Sequence, residues 1–446
     1  MFVLLCQGIF GMQAQETLTL KECRDLAIAN NKDLQISKMK IQVADRTRKA
    51  AITHYFPQLS ASGTYMWNQK DINLFDFGRL GKFEQLVPQG IKDVFHLDIE
   101  NVWLGNVNLV QPIFMGGKIV NYNQITKYAE ELARSMDNLK LQEIIYHTDE
   151  TYWQVISLVN KKKLADTYVE LLREMNEDVE LMIEEGVSTK SDGLSVKVKL
   201  NEAEMTKTKV DNGLALTRML LMQICGLELD KEFALADEKV DNIQTDASKP
   251  ATLADMSIAF QNRMELVGLD LAKKIYKKKE AIVLSEALPS LGVMANYLVM
   301  NPNCYNGFKN EFAGVFNVGV VLKVPISGWW ENTHKRRAAR AETLIKTLEW
   351  EEAREKIELQ VNQSVYKVNE ANKNLIANQR TMEQAEENLR IANMGFEEGV
   401  IPAINMMQAQ TAWLSARSSL IDAQIEMKLS RLYLSKAMGE LTAEEQ

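Results

Sequence analysis

Histidine, cysteine and methionine are the side chains here best suited to metal binding, proton transfer or nucleophilic attack, so their spacing comes first. The four histidines are His54, His96, His147 and His334, and the four cysteines are Cys6, Cys23, Cys225 and Cys304. A zinc site draws its ligands from short Cys or His spacings, and a nucleophilic triad needs a Ser or Cys with a His and a carboxylate. Neither arrangement is visible, nor is a phosphate-cradling glycine loop. The sequence offers no active site, no cofactor site and no metal centre. Met406-Met407 sets two soft thioethers side by side, which suits a soft metal cargo and equally suits core filling.

What remains is recognition at turns. Glu-Glu-Gly-Val occurs at residues 184–187 and again at 397–400. A shift of 213 positions relates the two, and the same shift carries Pro112-Ile113 onto Pro325-Ile326, Ile144 onto Ile357, Ala203 onto Ala416 and Gly226 onto Gly439. Upstream, a shift of 232 carries Asn30 onto Asn262, Leu34 onto Leu266, Pro57 onto Pro289 and Tyr65 onto Tyr297. The difference is an insertion in the first copy, between about Asn68 and Ile99. The chain is a tandem duplication whose period is far too long for a solenoid unit. Its copies run over 15–226 and 251–440, with a polar linker at 227–250 and a tail at 441–446.

The elements that position the turns follow the same order in each copy. The first reads as a helix over 18–55 stopped by Pro57, then strands at 59–67 and 102–110, the latter ended by Pro112 and Gly116-Gly117. Trp103, Val107 and Leu109 alternate in that strand with Leu104, Asn106 and Asn108. Residues 118–185 contain neither Gly nor Pro and read as one helix. Its positions 122, 125, 129, 132, 136 and 139 step by three and four, and 145, 148, 152, 155 and 159 resume after a phase break, as in a coiled-coil seam. Gly186 ends that helix as a left-handed cap, and Ser188 or Thr189 starts the next, which runs to Gly226. The second copy gives a helix over 251–287, strands at 291–299 and 312–324, a helix over 331–394, Gly399, and a last helix to Gly439 with Pro402 in its first turn. A helix of about 68 residues spans roughly 100 Å, and the two shorter helices of each copy sum to nearly the same length. The expected shape is a tall bundle with strands at one end and the Glu-Glu-Gly-Val turns at the other.

Composition bounds the function. A net charge of -8 argues against nucleic acid, and 46% apolar with 25% charged residues describes a folded chain. The apolar run at 2–10, followed by Gly11-Met12-Gln13-Ala14-Gln15, reads as an export signal cleaved after Ala14. Val3-Leu4-Leu5-Cys6 loosely matches a lipoprotein box, with Leu5 too large for its cleavage site. No later stretch approaches the ~18–20 apolar residues of a spanning helix. The four strands, however, have the length that crosses a bilayer as tilted barrel strands. Four cannot close a barrel, and an open edge in lipid leaves backbone groups unpaired, so the chain must oligomerise. Tyr55, Phe56, Phe114, Trp329 and Trp330 cluster near the strand ends and fit an interfacial girdle, the alternative being rings packed at the edge of a soluble sandwich. The basic stretches 273–279 and 334–340 suit either lipid headgroups or solvated helix faces.

With these features in order and doubled, the chain resembles the TolC family of outer-membrane efflux proteins over about residues 17–440. The carriers are the duplication, the junctions Val110-Gln111-Pro112-Ile113-Phe114-Met115-Gly116-Gly117 and Val324-Pro325-Ile326-Ser327-Gly328-Trp329-Trp330, and the two turns. Glu185-Gly186-Val187-Ser188-Thr189-Lys190-Ser191-Asp192 is similar to the family's tip pattern, and Glu398-Gly399-Val400-Ile401-Pro402-Ala403-Ile404-Asn405 matches it more loosely. The resemblance implies a mainly α fold with a β-barrel portion: a duplicated long-helix coiled-coil bundle in a homotrimer whose strands complete a twelve-stranded barrel in outer-membrane lipid. It implies an exit duct for a tripartite efflux or type I secretion system, extending into the periplasm. The tips, at Glu185, Gly186, Val187, Ser188, Glu398, Gly399 and Val400, would dock a periplasmic adaptor (membrane fusion) protein, itself joined to an inner-membrane transporter. Relatives often narrow the tunnel with acidic residues six and nine positions after the second tip glycine, where this chain has Asn405 and Gln408. Asp192 is the nearest acidic candidate for such a constriction, and it equally suits a helix start. The alternative reading is an exported coiled-coil scaffold or adhesin without a pore.

Overall fold

The computed structural model describes residues 16–230, 233–239 and 255–441. The expected export signal at 1–14, Cys6, linker residues 240–250 and the tail beyond Leu441 lie outside the described residues. The first copy comprises β1 (Glu16–Leu18), α1 (Leu20–Asn30), α2 (Lys32–Ile52), β2 (Gln58–Trp67), β3 (Ile72–Asn73), α3 (Gln89–Phe95), β4 (His96–Leu97), β5 (Asn101–Phe114), α4 (Lys118–Glu184) and α5 (Lys190–Cys225). After β6 (Phe233–Leu235) come α6 (Met256–Asn262), α7 (Met264–Ser285), β7 (Ser290–Asn301), β8 (Ala313–Lys323), α8 (Trp329–Glu397) and α9 (Ala403–Met438). The repeat shows in the lengths: α4 and α8 have 67 and 69 residues, and α5 and α9 have 36 each.

These elements group into two compact units. One gathers the chain up to Ile41, Ala133–Gly268 and Glu349 onward; the other gathers Gln42–Leu132 and Leu269–Leu348. The second unit holds an antiparallel sheet in the order β2-β5-β7-β8, which leaves β2 and β8 as edges with no strand partner among the described residues. β5 continues through Pro112 to Phe114, past the expected stop. β2 pairs with it only as far as Val110, and the register with β7 shifts between Pro112 and Phe114. A proline is tolerated at such a bulged, one-sided stretch because its missing donor has no ladder partner to disappoint. The insertion between β2 and β5 is itself folded, with β3 paired to β4 and Phe75, Phe77 and Phe95 clustered ring to ring.

The first unit carries the apolar core. Tyr152, Val155 and Val159 of α4 are buried with Leu18, Leu221 and Phe233, so the later seam of that helix lies where its spacing puts it. The earlier seam does not. Tyr122 and Met136 are exposed, and the buried positions of that stretch are polar: Thr126, Glu130 and Ser135. Each has a partner that allows this. Glu130 accepts from Arg48 at 2.9 Å, Ser135 donates to the Met264 carbonyl and Thr126 donates to the Asn123 carbonyl. In the linker, β6 pairs in parallel with β1, so that segment is not merely a polar tether.

The expected single helix over 18–55 is two helices, broken at Asn31 (φ -59°, ψ 128°). Asn31 Oδ1 accepts from Asp33 N and its Nδ2 donates to the Ile224 carbonyl in the last turn of α5. The second copy breaks at Arg263, which donates to the matching carbonyl of Ala437 in α9. A helix end leaves four carbonyls without intrahelical partners, and both copies satisfy one of them from the same break. The left-handed caps Gly226 and Gly439 close this contact: a Cβ there would lie 2.6 Å from Asn30 Cβ and 2.9 Å from Asn262 C.

Candidate functional site

Two places in the chain are built for contact rather than for core. The first is the pair of turns between the long and short helices. At one, Gly186 takes φ 78°, and Val187 N and Gly186 N donate to the carbonyls of Met182 and Ile183 at 2.8 and 3.1 Å. At the other, Gly399 takes φ 73°, and Val400 N and Gly399 N donate to Gly395 and Phe396 at 2.8 and 3.0 Å. The bonds coincide atom for atom, a helix end closed by a glycine in the region other residues avoid. Behind the turns, Met175, Val179, Val196, Ala392, Met406 and Met407 form a core. Met406 and Met407 are therefore core filling.

In front of the turns, apolar side chains face solvent. Val187 is 79% exposed and Val400 78%, which no packing within the chain explains. Glu185, Gly186, Glu398 and Gly399 are exposed as well, and Ser188 is half-buried. The two turns differ only in how the next helix begins. Thr189 and Asp192 form a capping box, with Asp192 Oδ2 accepting from Thr189 N at 3.1 Å, Thr189 Oγ1 at 2.7 Å and Ser188 Oγ at 3.3 Å. The Thr189 hydroxyl and backbone donors hold the Asp192 carboxyl below the usual carboxylate range. The second helix begins at Pro402, with no side-chain cap, and Asn405 and Gln408 lie exposed in its first two turns.

The second place is the four-stranded sheet, whose two faces differ in chemistry. One face carries the rows Leu59–Leu109–Ala295–Val318 and Ala61–Val107–Tyr297–Phe316 across all four strands. The other is mixed: it carries the polar row Ser60–Asn108–Asn296–Asn317, with Gln58, Ser62, Thr64 and Asn106 beside it and Val110, Met294, Leu298 and Val315 in the neighbouring rows. Tyr55, Phe56, Phe114, Trp329 and Trp330 are all exposed, and they flank the end of the sheet where β2 begins and β5 ends. A second aromatic group, which the single-strand patterns did not reveal, flanks the other end: Tyr65, Trp67 and Trp103, with Tyr65 and Trp103 rings 4.5 Å apart. The signal was the period-two alternation of each strand. Only the register between strands shows that like residues line up. Of the basic stretches, Lys273 and Lys274 pair with Asp270 of their own helix, and Lys335 pairs with Glu331.

Known proteins share this architecture. A family model described as outer membrane efflux protein matches residues 23–227 and 259–440. The sequence is similar to outer membrane protein TolC of Vibrio cholerae serotype O1, at 21% identity over 342 residues, covering 76% of this chain and 77% of that protein. The fold is similar to the Campylobacter jejuni CmeC outer membrane channel, with a TM-score of 0.77 at 15% identity over 96% of this chain and 87% of that one. It is equally similar to the outer-membrane channel OprN, with a TM-score of 0.77 at 13% identity over 94% and 90% of the two chains.

Proposed function

The chain belongs to the outer membrane efflux protein family, and we propose that three copies of it form one duct that carries cargo out of the periplasm. It is an outer membrane channel protein and not an enzyme. Each copy of the repeat, 15–226 and 251–440, contributes two strands and two tunnel helices. The observation that carries the reading is the two-faced sheet with unpaired edges. An apolar face flanked by aromatics suits lipid, a polar face suits a water-filled lumen, and edges exposed to lipid are untenable. Three chains supply twelve strands, enough to close a barrel. Tyr55, Phe56, Phe114, Trp329 and Trp330 then form the periplasmic-side girdle, and the insertion between Asn68 and Ile99 faces the cell exterior.

The paired turns supply the other end of the function. Exposed Val187 and Val400, each fixed by the same backbone network, suit a repeated hydrophobic contact, and we assign it to the hairpin end of a periplasmic adaptor protein joined to an inner-membrane transporter. Asp192, Asn405 and Gln408 follow these turns, and we assign to them the narrowing of the tunnel. Asp192 does so less freely because the helix cap already engages its carboxylate. The test is extraction from the outer-membrane fraction followed by light scattering in detergent. A protein mass near three chains supports the duct; a water-soluble monomer overturns it. In the same preparation, Val187→Asp with Val400→Asp should keep the trimer but lose adaptor co-purification and efflux, and retention of both would overturn the docking assignment.

A further inference from the structure

Two buried cysteines remain outside everything described above. Cys23 lies in the first turn of α1 and Cys225 is the last residue of α5. Both are 0% exposed and both belong to the core that contains Leu18, Tyr152, Met222 and Phe233. Both are free thiols in the structure, and Cys225 Sγ lies 3.5 Å from the Cys23 carbonyl oxygen. The repeat offers an internal comparison. The shifts of 232 and 213 that relate the copies place Asp255 and Met438 at the matching positions, so this buried pair has no counterpart in the other copy. No cluster of three or more His, Cys, Asp or Glu among the described residues suggests a metal.

From this juxtaposition we infer that Cys23 and Cys225 are joined by a disulfide in the exported protein. The inference rests on the outer-membrane reading, because a chain that passes through the periplasm meets an oxidising compartment. The oxidant is a protein disulfide of the thiol–disulfide oxidoreductase class. One cysteine thiolate attacks it to give a mixed disulfide, and the other then displaces the enzyme's sulfur. The pair gives up two protons and two electrons, and the enzyme disulfide becomes a dithiol. Both sulfurs are sealed in the folded core, so exchange precedes the docking of α1 on α5, and the finished bond is sheltered from soluble reductant. It ties the amino-terminal helix to the end of the first copy across a very long loop, the case in which a crosslink restricts the unfolded chain most.

The test is peptide mapping of wild-type protein purified from the outer-membrane fraction. Free thiols are blocked with N-ethylmaleimide during lysis and again after unfolding without reductant. Trypsin then releases residues 22–24 and 219–231. The expected product is these two peptides linked, two hydrogens lighter than their sum and separated by reductant. Recovery of both cysteines as maleimide adducts would overturn the disulfide. Fractionation beforehand tests the location separately: a chain found elsewhere defeats that reading, whereas alkylated cysteines in an outer-membrane chain defeat the disulfide alone.

Discussion

Arg24 and Asp149 meet in the first unit with both side chains almost wholly buried, Arg24 Nε on Asp149 Oδ1 at 2.6 Å and NH2 on Oδ2 at 2.5 Å. Burial pushes the Asp149 carboxyl up, and the Arg24 guanidinium partly offsets this. Such a pair adds little net stability, but removing one partner strands the other charge. Asp149→Ala is expected to destabilise the fold by about 3–5 kcal/mol in denaturant titration, and Arg24→Met with Asp149→Leu is expected to recover most of that loss. Asp192 behaves differently, being only half-buried and lowered by its cap. A lowered carboxyl contributes stability above its unfolded value, near pH 4, and loses it as pH falls through its folded value. Thermal melts of wild type and Asp192→Asn should therefore differ at neutral pH and converge at acid pH.

At the scale of elements, the four left-handed glycines that end α4, α5, α8 and α9 separate into two classes. Gly226 and Gly439 have neighbouring backbone where a side chain would go, whereas Gly186 and Gly399 have open space. Gly226→Ala or Gly439→Ala should cost the left-handed strain of about 1–3 kcal/mol and also displace the α1/α2 or α6/α7 break. Gly186→Ala or Gly399→Ala should cost only the strain, at the lower end of that range, and the melting temperatures would rank accordingly. These glycines, the helix lengths and the tip turns were legible in the sequence because each is set by local backbone chemistry. The helix breaks were not. Asn31 and Arg263 end helices by reaching carbonyls nearly two hundred residues away, and because two different side chains do one job, the internal repeat hides the match. Likewise Glu130 and Ser135 displaced the expected apolar seam through partners on other helices, and Thr126 through the Asn123 carbonyl of its own. The strand β6 was invisible for the same reason, since three residues become a strand only beside β1.

At the scale of the whole molecule, the two faces of the sheet give opposite expectations for the same substitution. Val318 lies on the apolar face and its chain neighbour Asn317 on the polar one. An arginine on a lipid face at mid-membrane costs about 2–4 kcal/mol. Val318→Arg, present three times in a trimer, should therefore abolish the detergent-stable, heat-modifiable form on gels. Asn317→Arg should assemble normally. Equal tolerance of both would mean that the sheet does not span lipid, and equal failure would mean that its polar face is packed rather than wet.

The row Ser60–Asn108–Asn296–Asn317 belongs to a face that carries no ionisable side chain along β2 from Gln58 to Met66 or at the positions paired across from them. Rolled into the proposed barrel, those rows carry no formal charge, while Lys323 at the end of β8 is on the same face. Within those rows no fixed charge favours a cation over an anion, so any selection by sign there rests on the amide dipoles of the asparagines and on Lys323.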